Sequence, residues 1–311
     1  MKIYDGIEKF PKLNFPVVTI GTFDGVHVGH QKILSRIIEL ARKHAGKTVL
    51  ITFWPHPRFV LNKDNDDLKL LSTFEEKASY LRKLGIDHLV KIPFTRSFSE
   101  NSSEVFIQKI LVEKIGTQKL VIGYDHKFGK NREGSFEHLK ANEAKYGFDV
   151  EEISRQDIDD VGVSSTKIRK ALEEGEIDIA NDYLGRFYSL AGIVIAGRQL
   201  GRDLGFPTAN IKLKDSYKLV PGDGVYAVEV MHKAHLYNGM LNIGYRPTVD
   251  GISKVMEVNI FNFNEDIYDQ EIRIFFVKKI RQEKKFSNIE ELKVQLLRDK
   301  KEAEKILTPR L

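Results

Sequence analysis

The stretch VVTIGTFDGVHVGHQKILSRIIELARKH, residues 17–44, decides the fold of the first half of this chain. Val17 to Ile20 is a short apolar run that enters a turn, Gly21 to His30, with glycine at 21, 25 and 29. From Gln31 to His44 the period changes, and Ile33, Leu34, Ile37, Ile38 and Ala41 fall on one helical face. A strand, a glycine turn and an amphipathic helix make the first step of an alternation.

Outward from that stretch the alternation continues. Thr48–Phe53 (TVLITF), His88–Ile92, Lys119–Ile122 and Val150–Ile153 read as strands. Thr73–Leu84, Ser102–Ile115, Phe136–Tyr146 and Ser165–Glu173 read as helices, with Thr73 able to cap and Glu76 at the matching box position. Strands separated by single helices pair in parallel through right-handed crossovers. Ligands of such sheets bind beyond the carboxyl ends of the strands, and the Gly21–His30 turn lies at one of them.

From about Tyr188 the grammar differs. Leu190–Ala196, Val225–Met231, Leu236–Ile243, Val255–Phe261 and Glu271–Ile280 are β-rich runs parted by Gly, Pro, Asn and Asp. Only Asn288–Ile306 looks helical, with Ile289, Leu292, Leu296 and Leu297 spaced for one face. The expected architecture is an α/β domain over 1–184, a parallel sheet with helices on both faces. An antiparallel β-barrel with a terminal helix follows over 185–311, after a short helix at Glu176–Leu184.

The bulk composition narrows the function classes. Hydrophobic residues at 41% and charged residues at 30% of 311 are the balance of a soluble globular protein. No apolar run approaches the ~20 residues of a membrane span, and MKIYDGIEKF lacks the apolar core of a secretory signal. The absence of cysteine excludes disulfides and thiolate chemistry and fits a cytoplasmic protein. A net charge of +5 suits anionic partners, nucleotide or nucleic acid. The densest basic run, Lys278–Lys285, is interrupted by Gln282 and Glu283 and reads as a solvated strand end, so no nucleic-acid partner is expected. The sequence carries no signal of oligomeric state.

Two loops carry chemistry in the first half. His27 and His30 stand three apart where a strand turns into a helix, whose free N–H groups and partial positive charge suit phosphate. Gly21, Gly25 and Gly29 allow close backbone approach. A zinc reading lacks a third ligand at a convincing spacing. GVSSTKIRKAL, residues 162–172, opens a second helix with Ser164, Ser165 and Thr166 and adds Lys167 and Arg169, a set that suits an anion clamp or an ordinary helix cap. In the second half, GRQLGRDLGFPTANI, residues 197–211, spaces Gly197, Gly201 and Gly205 four apart, as a phosphate flap or as a plain glycine-rich hairpin. Thr208 and Asn210 fall on one side of a strand and offer oxygen, the ligand magnesium prefers.

The two first-half loops together resemble the nucleotidylyltransferase superfamily marked by His-x-Gly-His and Ser-Ser-Thr-x-x-Arg. TFWPHP (52–57) and VIGYDHKFGKNREG (121–134) narrow the resemblance to the adenylyltransferase half of prokaryotic bifunctional FAD synthetases. Trp54, Tyr124, Asp125 and His126 depart from that pattern. GFPTAN, NIGYRPTVDG (242–251) and MEVNIFNF (256–263) resemble riboflavin kinases, with Asn259 where that family more often has histidine.

The resemblance implies a Rossmann-like first domain that adenylylates FMN to FAD and a barrel that phosphorylates riboflavin to FMN, with ATP and magnesium at both. It implies charge stabilisation by His27, His30 and Arg169, and nucleotide contacts at Gly21, Phe23, Asp24, Gly25, Gly29, Ser164, Ser165 and Thr166. In the barrel it implies a base at Glu257, magnesium at Thr208 and Asn210, and a phosphate loop at Gly197, Gly201 and Gly205. Flavin would meet Asp125 and Phe128 in the first half, and Arg281, Phe286 and Asp299 in the second. Arg281 and Asp299 would equally make a surface ion pair worth little. Two other readings stand beside this one: a single-activity enzyme with one degenerate half, and a nucleic-acid-binding barrel.

Overall fold

The computed structural model describes residues 1–61, 68–124, 126–154, 162–197, 204–248 and 251–308. Asp125 and Gly201, both expected at ligand, lie outside them. The chain divides into two compact units, Met1–Ser165 and Thr166–Leu311.

The first unit is built on six strands: β1 (Lys2–Asp5), β2 (Pro16–Ile20), β3 (Lys47–Trp54), β4 (His88–Pro93), β5 (Lys119–Gly123) and β6 (Asp149–Ile153). All pair in parallel, in the order β1-β4-β3-β2-β5-β6. Helices α1 (Val28–Lys43), α2 (Pro57–Leu61), α3 (Phe74–Leu84), α4 (Arg96–Ser99), α5 (Ser103–Phe106), α6 (Phe136–Ala141) and α7 (Glu143–Tyr146) connect them.

Side chains alternate across a strand, so Val18, Val49 and Leu120 point to one face and Val17, Leu50 and Val121 to the other. Each face buries its own cluster. Ile33, Leu34 and Ile37 of α1 and Leu81 of α3 cover one; Phe106, Ile110 and Leu139 cover the other. The strand order reverses beside β2: the chain goes one way to β3 and β4, and returns on the other side to β5 and β6. Loops leaving β2 and β5 therefore diverge, and a crevice opens between them.

Local signals explain most boundaries. The capping box at α3 forms as expected, with Glu76 N–H donating to Thr73 Oγ1 (3.1 Å) and Thr73 N–H donating to Glu76 Oε2 (3.0 Å). The expected helix from 102 to 115 is α-helical only through Phe106 and continues as a π-helix over Ile107–Ile115. The one expected over 136–146 breaks at Asn142, whose amide donates to the His138 carbonyl. Strand β1 was not anticipated: Lys2, Ile3 and Asp5 are exposed, so it carries no apolar period.

From Thr166 the second unit runs through α8 (Ser165–Glu174), whose first residue belongs to the first unit, and α9 (Ile177–Leu184). These helices precede the expected boundary at 184, yet they pack on the barrel. Asn181 Nδ2 donates to the Phe276 carbonyl, Tyr188 N–H donates to Asn181 Oδ1, and Gly222 N–H donates to the Leu172 carbonyl. Strands β7 (Tyr188–Ile195), β8 (Ala209–Leu213), β9 (Gly224–His232), β10 (His235–Thr248), β11 (Gly251–Ile260) and β12 (Glu271–Arg281) close an antiparallel barrel in the order β10-β11-β8-β7-β12-β9.

Helix α10 (Ile289–Leu307) presents a different face from the one expected. Ile289 and Leu297 are 64% and 55% exposed, whereas Leu292, Leu296, Asp299 and Ala303 turn inward. The inward stripe has a charged member because Asp299 is bound to Arg281 of β12.

Candidate functional site

The turn after β2 is backbone held under strain. Phe23 and Val26 adopt φ of +47° and +41°, and Gly25 +80°. A non-glycine residue in that region costs roughly 1–3 kcal/mol and persists only where its surroundings over-determine it. Here they do. Val26 N–H donates to the Phe23 carbonyl, and Gly25 N–H donates to Ser72 Oγ.

The Asp24 carboxylate, expected to face phosphate, is instead turned inward. It accepts from the N–H groups of Leu71 (3.0 Å) and Ser72 (3.1 Å) and from the Ser72 hydroxyl. Its role is to brace the turn against the residues that precede α3. Ser165, also expected at phosphate, donates its hydroxyl to the Asp24 carbonyl. The Phe23 ring is buried and lies 5.0 Å from the His30 ring.

The histidines stand together at the start of α1, with rings stacked at 3.6 Å. His27 caps the helix: its Nδ1 accepts from His30 N–H (3.3 Å), which leaves the proton of a neutral ring on Nε2 as a donor. His27 is buried and His30 half-buried; Gly29 is buried against the sheet. Ser164 is exposed in the first unit, while Thr166 and Lys167 are exposed and Arg169 half-buried on the first turn of α8.

A cavity of about 750 Å³ opens beyond the carboxyl ends of β2, β3, β4 and β5. Gly21 and Thr22 form one wall, and His126, Phe128 and Gly129 of the loop after β5 another. Phe53, Phe94 and Phe98 give it an aromatic floor, with ring centroids 5.7 to 5.9 Å apart. Arg58, Arg96 and Lys127 stand at its exposed rim. Flat apolar walls with cations at the mouth suit an aromatic ring that carries phosphate.

Sequence reasoning passed over Lys77, which is 2% exposed behind this turn. Its ammonium donates to the Thr22 carbonyl (2.5 Å) and Thr52 Oγ1 (3.3 Å) and lies 5.6 Å from the Trp54 ring centroid. Burial pulls it down to about 8, against the opposite pull of Asp24. The signal was available: Phe74, Ala78 and Leu81 define the inward face of α3, and Lys77 lies on it.

In the barrel, a cavity of about 330 Å³ gathers Thr208, Glu257, Arg281, Phe286 and Asp299, five residues expected to act together. A second, of about 190 Å³, is lined by Val194, Ala209, Val258, Phe263 and Tyr268. Thr208 borders both. Glu257 and Asn210 are direct partners across the β11–β8 ladder. Gly197 lies against Asn210: a Cβ at 197 would lie 2.0 Å from Asn210 Nδ2, so a larger residue there would push that carboxamide aside. Asn259, the departure from the usual histidine, is buried and donates to the Pro207 carbonyl at 2.7 Å, fastening the residue before Thr208.

Arg281 and Asp299 do pair, but beneath the surface. Arg281 Nε and Nη2 donate to the Asp299 carboxylate at 2.9 and 2.7 Å, Gln295 donates a third bond, and Asp299 is 1% exposed. Breaking a buried pair leaves an uncompensated charge and costs roughly 3–5 kcal/mol. Asp299→Ala is therefore expected to lower the stability of the barrel by that amount, read from its urea midpoint. A midpoint equal to the parent's would return the pair to the weak surface class.

A family model described as FAD synthetase matches residues 11–167, and one described as riboflavin kinase matches 184–307. A protein of Buchnera aphidicola subsp. Schizaphis graminum, a bifunctional riboflavin kinase/FMN adenylyltransferase, is 41% identical over 96% of this chain and 96% of its own length. The chain belongs to that bifunctional family. A member from Bacillus subtilis is 38% identical over 92% of this chain and 91% of its own. A solved structure described as a macrolide-efflux protein from Streptococcus pneumoniae superposes with a TM-score of 0.87, at 29% identity, covering 96% of this chain and 97% of its own. Among the described residues, no helix is long and apolar enough to cross a membrane. Both halves match family models in the order expected, which favours two activities over a single one beside a degenerate half.

Proposed function

We propose that the barrel transfers the terminal phosphoryl group of ATP to the 5′-hydroxyl of riboflavin, and that the first unit joins FMN to the AMP portion of a second ATP. The kinase reading rests chiefly on one observation: Thr208 borders two cavities, as a residue between two substrates must. The larger, with Phe286 and Arg281, suits the flavin; the smaller, with Phe263 and Tyr268, suits the nucleotide. Glu257 would accept the hydroxyl proton as the oxygen attacks phosphorus and ADP leaves.

Thr208 and Asn210 offer oxygen to a magnesium ion. Among the described residues no cluster of three or more His, Asp or Glu side chains could hold one. Magnesium takes few protein ligands and keeps water and nucleotide phosphates as the rest, so Thr208 and Asn210 would supply oxygens beside phosphates whose charge the ion would neutralise.

For adenylyl transfer, an oxygen of the FMN phosphate would attack the α-phosphorus of ATP while the bond to the β-phosphate oxygen breaks and pyrophosphate departs. No covalent enzyme intermediate is needed, so positioning and charge stabilisation carry the catalysis. His27 Nε2 and His30 would donate to the phosphate oxygens. The aromatic cavity beyond Gly21 would hold the flavin ring. Neither reaction calls for a nucleic acid or a membrane, and its dependence on ATP fits work in the cytoplasm.

Purified protein incubated with riboflavin, ATP and magnesium is expected to give FMN first and FAD later, as separated by chromatography. FMN that never proceeds to FAD, even when supplied directly, would remove the adenylyltransferase half of the proposal.

A further inference from the structure

Lys77 is a buried cation that neither proposed reaction uses. Its ammonium points at the backbone of the strained turn, where the Thr22 carbonyl accepts from it and from the Thr52 hydroxyl (3.3 Å). The Thr22–Phe23 peptide is trans, so the Phe23 N–H is antiparallel to that carbonyl. Drawing the carbonyl toward Lys77 therefore aims the Phe23 amide away from the lysine. The carbonyl alone does not need the lysine, since Thr52 also bonds it.

The electrostatics make a purely structural role expensive. Asp24 is the charged group acting on Lys77, and its carboxylate is already satisfied by Leu71 and Ser72. Glu76 is engaged in the capping box. Lys91 of β4 stands over the Phe74 ring and pairs with Asp5. Nothing in that set neutralises the ammonium by direct contact.

We propose that Lys77 is a positioning residue for adenylyl transfer, holding the Thr22 peptide so that the Phe23 amide faces the nucleotide phosphates. The proposal rests on the adenylyltransferase reading of the first unit. Burial holds Lys77 near 8, below its ordinary 10.5. The ammonium is thus present below about pH 8 and lost above it. The sign for stability is the opposite of that for activity. Between those two values the unfolded chain binds more protons, so stability rises with pH while the positioning charge is lost.

The test is Lys77→Met, which keeps the length and removes the charge. FAD formation from FMN and ATP at pH 7 is expected to fall in kcat on the order of 10²-fold, with KM for FMN unchanged. The melting temperature of the first unit is expected to hold or rise, because a costly buried charge is gone. The parent's kcat is expected to decline above about pH 8 with a slope of one proton, and the variant's residual kcat to lose that limb. Riboflavin phosphorylation should be unaffected.

Parent-level FAD formation by the variant, or an alkaline limb that persists in it, would overturn the proposal. So would activity and melting temperature falling together, the mark of a structural role. A parent protein that makes no FAD would sink the adenylyltransferase reading itself, and Lys77 with it.

Discussion

Replacing Glu257 by glutamine is expected to lower FMN formation from riboflavin by ~10²–10⁴-fold, the usual worth of a general base. The substitution keeps the side chain's size and its place on the β11–β8 ladder opposite Asn210. It removes only the ability to take a proton. The loss should appear in kcat, with KM for riboflavin little changed, because an interaction made only in the transition state has been removed. FAD formation from supplied FMN should be unchanged. If kcat for phosphorylation stays at the parent level, Glu257 is a half-buried strand carboxylate that happens to line the cavity.

His30→Ala is expected to lower FAD formation by ~10²–10³-fold, as loss of one preorganised donor to a developing charge usually does. His30 is a cleaner probe than His27. The His27 ring caps α1, so removing it also costs about 1 kcal/mol of helix stability. His30 contributes its backbone N–H to that cap, which alanine keeps. Riboflavin phosphorylation in the same chain gives an internal control. FAD synthesis by His30→Ala at the parent rate would withdraw the histidine pair from the chemistry.

Much of the fold was legible because its strongest signals are local. The Val17–Ile20 run, the period of α1 and the Thr73–Glu76 box are each set by neighbours within a few residues, and the structure has all three. What escaped depends on partners far along the chain. Strand β1 is largely exposed and exists by pairing with β4, Lys2 opposite His88. Helix α10 turned because Asp299 answers Arg281, a match that no hydrophobic period contains.

The site divides the same way. The resemblance to riboflavin kinases implied roles for Thr208, Glu257, Arg281, Phe286 and Asp299, and all five line one cavity. Sequence spacing could not say which motif residues face outward. Asp24 and Ser165 brace the turn, Gly197 makes room for Asn210, and Asn259 pins Pro207. Each of these contacts joins residues far apart in the chain, and none of them follows from a local pattern.

The bonds from Leu71 and Ser72 to Asp24 span 47 and 48 residues of chain. Closing so long a loop is entropically costly until α3 has docked on the sheet. The shape of the turn after β2 thus depends on the segment that leads into α3, and local opening of that segment would release Asp24. The amide protons of Leu71 and Ser72 are buried reporters of that event: their exchange with solvent tracks the lifetime of the assembled turn more directly than any signal from the histidines.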